Sequence, residues 1–238
     1  ELELIAPVQR AVADEKYETP TPIQAKTIPA ALVGRDVLGC AQTGTGKTAA
    51  FALPILNRLG QRNRKATPNR PFVLVLAPTR ELAIQIEESF ATYGRHLRLR
   101  QALVYGGVSQ DSQVRALNRG AHILVATPGR LIDYLWNNPM PLNHLRTMVL
   151  DEADEMLNMG FAENVEFIMS CVMQEHQTLL FSATMPKEVD RLARSYLKDP
   201  VRLELIKGRV APQSIEHHFR HVRFPERLDA LKSYLKEE

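Results

Sequence analysis

The chain has 238 residues, 45% of them hydrophobic and 24% charged, the proportions of a globular protein large enough to bury its own core. Its longest apolar runs, such as residues 72–77, are too short to cross a bilayer, and no signal-peptide pattern opens it. The two cysteines, Cys40 and Cys171, sit in apolar segments and do not make a disulfide framework, so a reducing cytoplasm is the expected location; the net charge of +3 permits an anionic partner without requiring one.

The first motif is Tyr17-Glu18-Thr19-Pro20-Thr21-Pro22-Ile23-Gln24. A Gln amide can accept from adenine N6 and donate to N7 together, whereas guanine offers two acceptors there. Tyr17 could stack on the base. The plainer reading is a helix start with Pro22 in its first turn.

Next come apolar run 37–40, then Ala41-Gln42-Thr43-Gly44-Thr45-Gly46-Lys47-Thr48, then a helical pattern over 48–59. Strand, glycine-rich loop and helix make a phosphate loop. Thr43, Gly44, Thr45 and Gly46 turn backbone N–H groups inward, Lys47 reaches the β and γ phosphates, and Thr48 offers its hydroxyl to Mg²⁺. Ala41 stands where the strict pattern has Gly. Residues 58–70 carry five Lys or Arg and no acid; such runs are usually solvated loops, and this one also fits phosphate contact.

Further strands are expected at 72–77, 102–105, 122–126, 147–150, 178–181 and 201–205, with helices at 80–93, 109–118, 130–137, 161–173 and 187–198. Apolar strands separated by amphipathic helices predict an α/β fold, a mostly parallel sheet of about seven strands covered on both faces. Ligands in such folds sit beyond the carboxyl ends of the strands. Three of these ends open into Pro78-Thr79-Arg80, Gly106-Gly107 and Thr127-Pro128-Gly129-Arg130. Small residues and Arg at helix N-termini can meet phosphates, and three on one sheet edge make a groove for a phosphate chain.

The strand 147–150 ends in Asp151-Glu152-Ala153-Asp154. Asp151 reads as a metal ligand and Glu152 as a base, against the alternative of an acidic helix cap. Ser182-Ala183-Thr184 follows the sixth strand, with hydroxyls able to bond the acidic turn. Residues 207–214 look like a linker. After it, 215–224 alternates like a strand and 226–236 reads as a helix, too little to bury a core alone. Residues 207–223 carry four Lys or Arg against Glu216, with three of the seven histidines.

In this order the motifs closely resemble the DEAD-box family of ATP-dependent RNA helicases, up to about residue 206. The wording is similar to bacterial members of the RhlE kind. The resemblance implies a RecA-like P-loop domain over 1–206, a linker over 207–214 and the beginning of a second RecA-like domain over 215–238. It implies ATP and Mg²⁺ as cofactors and RNA, held by its backbone, as partner, with no membrane and a monomeric state. Tyr17, Thr19 and Gln24 then meet the adenine side, and Thr43, Gly44, Thr45, Gly46, Lys47 and Thr48 the phosphates. Thr48 and Asp151 hold Mg²⁺. Lys47, Asp151 and Glu152 are the catalytic set, with Glu152 activating the water. Pro78, Thr79, Arg80, Gly107, Thr127 and Arg130 contact RNA, and Asp154, Ser182 and Thr184 couple ATP state to RNA grip. Lys16 departs from the family's usual Gly.

The leading expectation is the ATP-binding half of an RNA-dependent ATPase that unwinds short duplexes by ATP-driven domain closure, with the arginine finger and half the RNA groove on the other domain. The alternative is an ATP-gated RNA clamp or scaffold without turnover. A different P-loop enzyme, such as a DNA helicase or GTPase, is disfavoured by Gln24 and by the lack of a guanine-reading Asn/Thr-Lys-x-Asp pattern.

Overall fold

Along each strand, alternate side chains belong to two separate cores. In β1 (Val37–Cys40) and β2 (Val73–Leu76), Val37, Val73 and Val75 join one cluster while Leu38, Leu74 and Leu76 join the other. Period-two alternation with both faces apolar means that neither face meets water. The computed structural model describes residues 2–62, 64–138, 140–205, 219 and 221–237.

The remaining strands are β3 (Gln101–Val104), β4 (Ile123–Ala126), β5 (Thr147–Leu150), β6 (Gln177–Ser182) and β7 (Val201–Glu204). They form one seven-stranded sheet in the order β3-β4-β2-β5-β6-β1-β7, parallel at every pairing. One face is covered by α1 (Ala6–Asp14), α2 (Pro22–Leu32), α3 (Lys47–Arg62) and α4 (Arg80–Tyr93), which bury Val8, Ile23, Phe51 and Phe90 there. The other is covered by α5 (Gln110–Asn118), α6 (Pro128–Asn137), α7 (Ala153–Asn158), α8 (Ala162–Ser170) and α9 (Lys187–Tyr196), through Leu117, Leu131, Met156, Ile168 and Leu192. The result is the three-layer α/β architecture expected from the sequence.

The expected strands and helices fall within a few residues of the observed ones. Two helices lay outside that reading. In α1 the buried stripe is short, only Val8 and Ala11. The six-residue α7 is too brief to show a helical period and begins inside the acidic motif. A further departure explains Lys16: it holds φ +58°, the left-handed region that Gly enters freely and other residues enter at a cost. Glycine would hold this backbone without that cost.

The chain divides into two compact units, Glu1–Ile206 and Lys207–Glu238. In the second, the described residues form a 3-10 turn, Phe224–Glu226, and α10 (Arg227–Glu237). The helix agrees with expectation. The expected linker and most of the expected strand 215–224 lie outside the described residues, and the described ones among them, 219 and 221–224, are not in a strand.

Gly39 in β1 has no space for a side chain. A Cβ there would lie 2.7 Å from a ring carbon of Phe181, which is fully buried and stacked 5.6 Å from Phe51. Gly39→Ala should therefore overpack this core and destabilise the domain by about 1–3 kcal/mol, read from the urea midpoint at unchanged m-value. A variant as stable as the parent would show that Phe181 has room to move.

Candidate active site and adjoining groove

Because all seven strands run the same way, every strand-to-helix turn opens on one edge. The turns after β1, β5 and β6 are neighbours there, and so are those after β3, β4 and β2. The acidic, glycine-rich and Ser-Ala-Thr motifs occupy the first group. The Arg- and Gly-bearing motifs occupy the second.

In the loop from β1 to α3, Gly44 and Gly46 hold φ +82° and +87°. A Cβ on Gly46 would also lie 2.5 Å from Nε2 of Gln24. That contact reflects a bond: Gln24 Nε2 donates to the Gly46 carbonyl at 3.2 Å. At the same time Gln24 Oε1 accepts from Thr21 N at 3.0 Å, the Gln half of a capping box at the start of α2. Gln24 is thus both a helix-start residue and a brace for the phosphate loop. Its amide keeps one proton and one lone pair beyond these bonds. The loop closes on itself where Thr45 Oγ1 donates to the Gln42 carbonyl at 2.8 Å.

Lys47, the first residue of α3, is 5% exposed, and its Nζ has no hydrogen-bond partner among the described residues. A buried ammonium without a partner is costly unless something anionic answers it. Together with two inward-turned glycine peptides at a helix N-terminus, it fits a polyphosphate. Asp151 is 2% exposed at the end of β5. Burial pushes its carboxyl up to about 6; Lys47 pulls it down, and Glu152 and Asp154 raise it again. A buried carboxylate of this kind, with the hydroxyl of Thr48 at the start of α3, is the donor chemistry a hard divalent cation takes.

Glu152 sits at φ +53°, ψ 53°, a left-handed conformation that costs a non-glycine residue about 1–2 kcal/mol. This turn sends consecutive carboxylates to different partners. Glu152 accepts from Thr43 Oγ1 at 3.2 Å, which sets it against the phosphate loop, while Asp151 accepts from Glu152 N at 3.1 Å. Strain of this kind clusters where function fixes the backbone.

Asp154 is 7% exposed and bonded on all sides. Its Oδ2 accepts from Thr184 Oγ1 at 2.7 Å and Thr184 N at 2.8 Å, and its Oδ1 from Ala183 N at 3.3 Å. Its own N donates to Ser182 Oγ at 3.2 Å. Burial raises this carboxyl, but the bonds from Thr184, Ser182 and Ala183 outweigh it and hold it below the usual range. The expected coupling trio is therefore in contact.

On the other half of the edge, Thr79 caps α4 by accepting from Leu82 N at 3.2 Å, with the buried Pro78 before it. The Arg80 guanidinium lies 5.1 Å from the centroid of the Tyr105 ring. A Cβ on Gly107, at φ +83°, would come within 3.9 Å of that guanidinium. Arg130 donates to the Val108 carbonyl, and its Nε is buried without a partner. Thr127 precedes α6 without a side-chain capping bond. These turns form one surface. Sequence reading missed Tyr105 and Gln113, which donates to the Tyr105 carbonyl at 3.0 Å. Tyr105 was visible only as the last residue of a strand.

On the outer side of α2, Val12, Tyr17, Thr19, Pro20 and Gln24 line a broad recess. The Tyr17 ring is half exposed and tilted 6.1 Å from Tyr93, whose hydroxyl lies 3.1 Å from its own. Ion pairs of Asp14 with His96, and of Glu15 with Arg95, tie the end of α1 to the segment after α4. These braces were not expected, because nothing in sequence spacing joins residues 80 apart.

A family model described as DEAD/DEAH box helicase matches residues 21–192. The chain belongs to this family. It is 50% identical over 206 residues to the ATP-dependent RNA helicase DeaD of Klebsiella pneumoniae, covering 86% of this chain and 31% of that one. To the DEAD-box ATP-dependent RNA helicase CshA of Geobacillus kaustophilus it is 44% identical, covering 99% and 49%. It is also similar, with TM-score 0.76 and 35% identity over 83% of this chain and 56% of the other, to the crystal structure of a hypothetical ATP-dependent RNA helicase from Sulfolobus tokodaii. The fold is thus RecA-like. The RhlE-like wording gains no support from these relatives, and the chain spans from 31% to 49% of the length of the curated ones.

The raised carboxyl of Asp151 has a consequence for the DEAD/DEAH box fold without nucleotide or metal. A folded-state value near 6 against 3.8 unfolded means the folded state binds the proton more tightly. Ionised Asp151 therefore costs stability above about pH 6, by about 2–3 kcal/mol, and this cost vanishes as pH falls below the unfolded value. In EDTA, Asp151→Asn should raise the thermal midpoint at pH 7.5, with the gain shrinking between pH 6 and pH 4. A variant less stable than the parent at pH 7.5 would show that the carboxylate is paired.

Proposed function

We propose that this chain is the ATP-binding half of an RNA-dependent ATPase that remodels short RNA duplexes by closing on a second RecA-like domain. The observation that carries it is the partnerless, buried Lys47 ammonium in a glycine cradle facing Asp151. Lys47 and the backbone of residues 43–46 take the triphosphate. Thr48 and Asp151 hold Mg²⁺, which neutralises charge on the phosphate oxygens when bound. Glu152, placed against Thr43, orients the attacking water and takes its proton. Gln24 uses its remaining proton and lone pair on adenine, with Tyr17 and Thr19 beside the base.

Pro78, Thr79, Arg80, Gly107, Thr127 and Arg130 hold the RNA backbone. The Asp154 clamp on Ser182 and Thr184 ties the turn after β5 to that after β6, within the nucleotide half of the edge and beside its boundary with the RNA half, and so couples nucleotide state to RNA grip. Residues 207–214 serve as linker, and 215–238 begin the second domain, which supplies the arginine finger. The protein works in the cytoplasm as a monomer. An ATP-gated clamp without turnover is the weaker reading, because Glu152 is held in a strained, specific position that passive binding does not need.

Glu152→Gln should keep nucleotide affinity and abolish hydrolysis, because the amide still accepts from Thr43 but takes no proton. Lys47→Ala should weaken nucleotide binding itself. Titration with a fluorescent ATP analogue and a phosphate-release assay read the two. Equal loss of affinity in both would overturn this division of labour.

Residues 1–238 alone should hydrolyse ATP very slowly, because an arginine finger contributes about 10³–10⁵ in turnover. Adding the second domain in trans should raise RNA-stimulated ATPase by orders of magnitude. Robust RNA-stimulated turnover by the chain alone would refute the need for it.

A further inference from the structure

The basic run over residues 58–70 has no part in the site above. It lies at the opposite edge of the sheet, a strand length of about 13 Å away at ~3.3 Å per residue. There the end of α3 and the starts of β2, β4 and β5 surround a crevice lined by Arg58, Arg62, Arg64 and Arg146, with Phe72 and His122. Among the described residues, no carboxylate lines it.

None of the four arginines makes an ion pair among the described residues, whereas Arg35, Arg95, Arg191, Arg194 and Arg202 each reach a carboxylate. Helix ends account for part of the charge. Arg58 donates to the Ala31 carbonyl in the last turn of α2 at 2.7 Å and to Thr147 Oγ1 at 3.4 Å, and Arg62 ends α3. Each helix C-terminus amounts to about half a negative charge. Arg64 and Arg146 are left with no such answer.

The crevice is also braced. His122 Nδ1 accepts from Arg100 N at 2.9 Å, so its Nε2–H donates to the Arg64 carbonyl at 2.9 Å. Arg100 donates to the Ala66 carbonyl at 3.2 Å, and the Arg64 guanidinium rests 5.7 Å from the Phe72 ring centroid. A solvated loop needs none of these ties.

We propose that the exposed arginine heads around this crevice, Arg62, Arg64 and Arg146, form a second phosphate-binding site that takes RNA backbone outside the segment held in the groove. Guanidinium forks match phosphate oxygens in pairs. RNA is favoured over an acidic peptide by the layout. Outside the crevice lining, Arg100, tied to the Ala66 carbonyl, precedes β3, three strand steps from Arg146 before β5, so the cations along this edge spread over about 14 Å at ~4.8 Å per step. A row of that length follows successive phosphates rather than one carboxylate. The inference rests on the proposed RNA-binding function.

The test uses the full-length protein with Arg62, Arg64 and Arg146 changed together to Gln. All three are exposed, so the thermal midpoint should hold. Anisotropy titrations with a non-hydrolysable ATP analogue compare a single strand of roughly six nucleotides, which fills only the groove, with a hairpin RNA of roughly forty. Hairpin affinity should fall about tenfold or more, and its salt slope by about 2–3, at roughly 0.9 per lost phosphate contact. Hexamer affinity should not change. The matching Lys triple variant, which keeps the charges, should retain most of the slope. Unchanged hairpin affinity and slope in the Gln variant would overturn the proposal. So would hexaglutamate binding that the Gln variant loses while its hairpin binding stays intact. Failure of the parent protein to bind even the hexamer would strike the RNA groove itself, and this inference with it.

Discussion

A lysine ammonium buried without a partner, close enough to act on a buried aspartate, is the constraint on which the rest of this domain depends. Neither charge is stable there alone. Their attraction lowers the carboxyl of Asp151, yet burial wins and leaves it well above the usual carboxylate range. The fold tolerates this because Asp151 stands where β5 ends and Lys47 opens α3 after the loop from β1, and two apolar cores fix those elements. Stability is given up at one place so that a polyanion and its cation can restore the balance when they arrive.

On the proposed function, the same edge gives a nucleotide and a strand of RNA neighbouring turns through which to sense each other. Strand order splits the motifs into two adjacent groups, and the boundary lies between β2 and β5. Asp154 sits one turn beyond that boundary, its carboxylate filled by Thr184 and Ala183. A carboxylate that accepts three bonds cannot move without breaking them together. The element therefore moves as a unit, which is what transmission between two sites requires. Tyr105 and Gln113 give the RNA side similar rigidity, one beneath the Arg80 guanidinium and the other holding the Tyr105 carbonyl.

Much of this was legible in the sequence, for identifiable reasons. Short apolar runs between amphipathic segments read as strands of a parallel sheet buried on both faces, and all seven were found near their places, the less apolar β3 and β7 at the sheet's edges. Motifs at strand ends were legible because parallel topology puts such ends on one edge. What stayed hidden was long-range and geometric. Nothing in the spacing says that Gln24 braces Gly46, that Tyr93 holds Tyr17 or that His122 ties down Arg64. The left-handed turn at Glu152 was equally invisible, because only the surrounding fold forces it. At Gln24 two readings competed, a helix start and a base contact. The structure realises the first in full and leaves the amide equipped for the second.

Helix polarity sets a limit on where such a domain can hold phosphate. In a parallel α/β sheet the helix N-termini gather at the edge where the strands end. Anion binding there is supplied largely by backbone, and few basic side chains are needed. The opposite edge gathers helix C-termini, whose carbonyls repel anions. Phosphate contact at that edge must come entirely from side chains, in enough excess to overcome the carbonyls first. One arginine at the end of α3 would merely cancel its dipole. Four arginines around one crevice, with no carboxylate among the lining residues, go well past cancellation. The asymmetry between three glycine- and threonine-rich turns on one edge and an arginine-rimmed crevice on the other is therefore what the polarity of the fold would demand if the domain meets phosphate at both ends, as proposed.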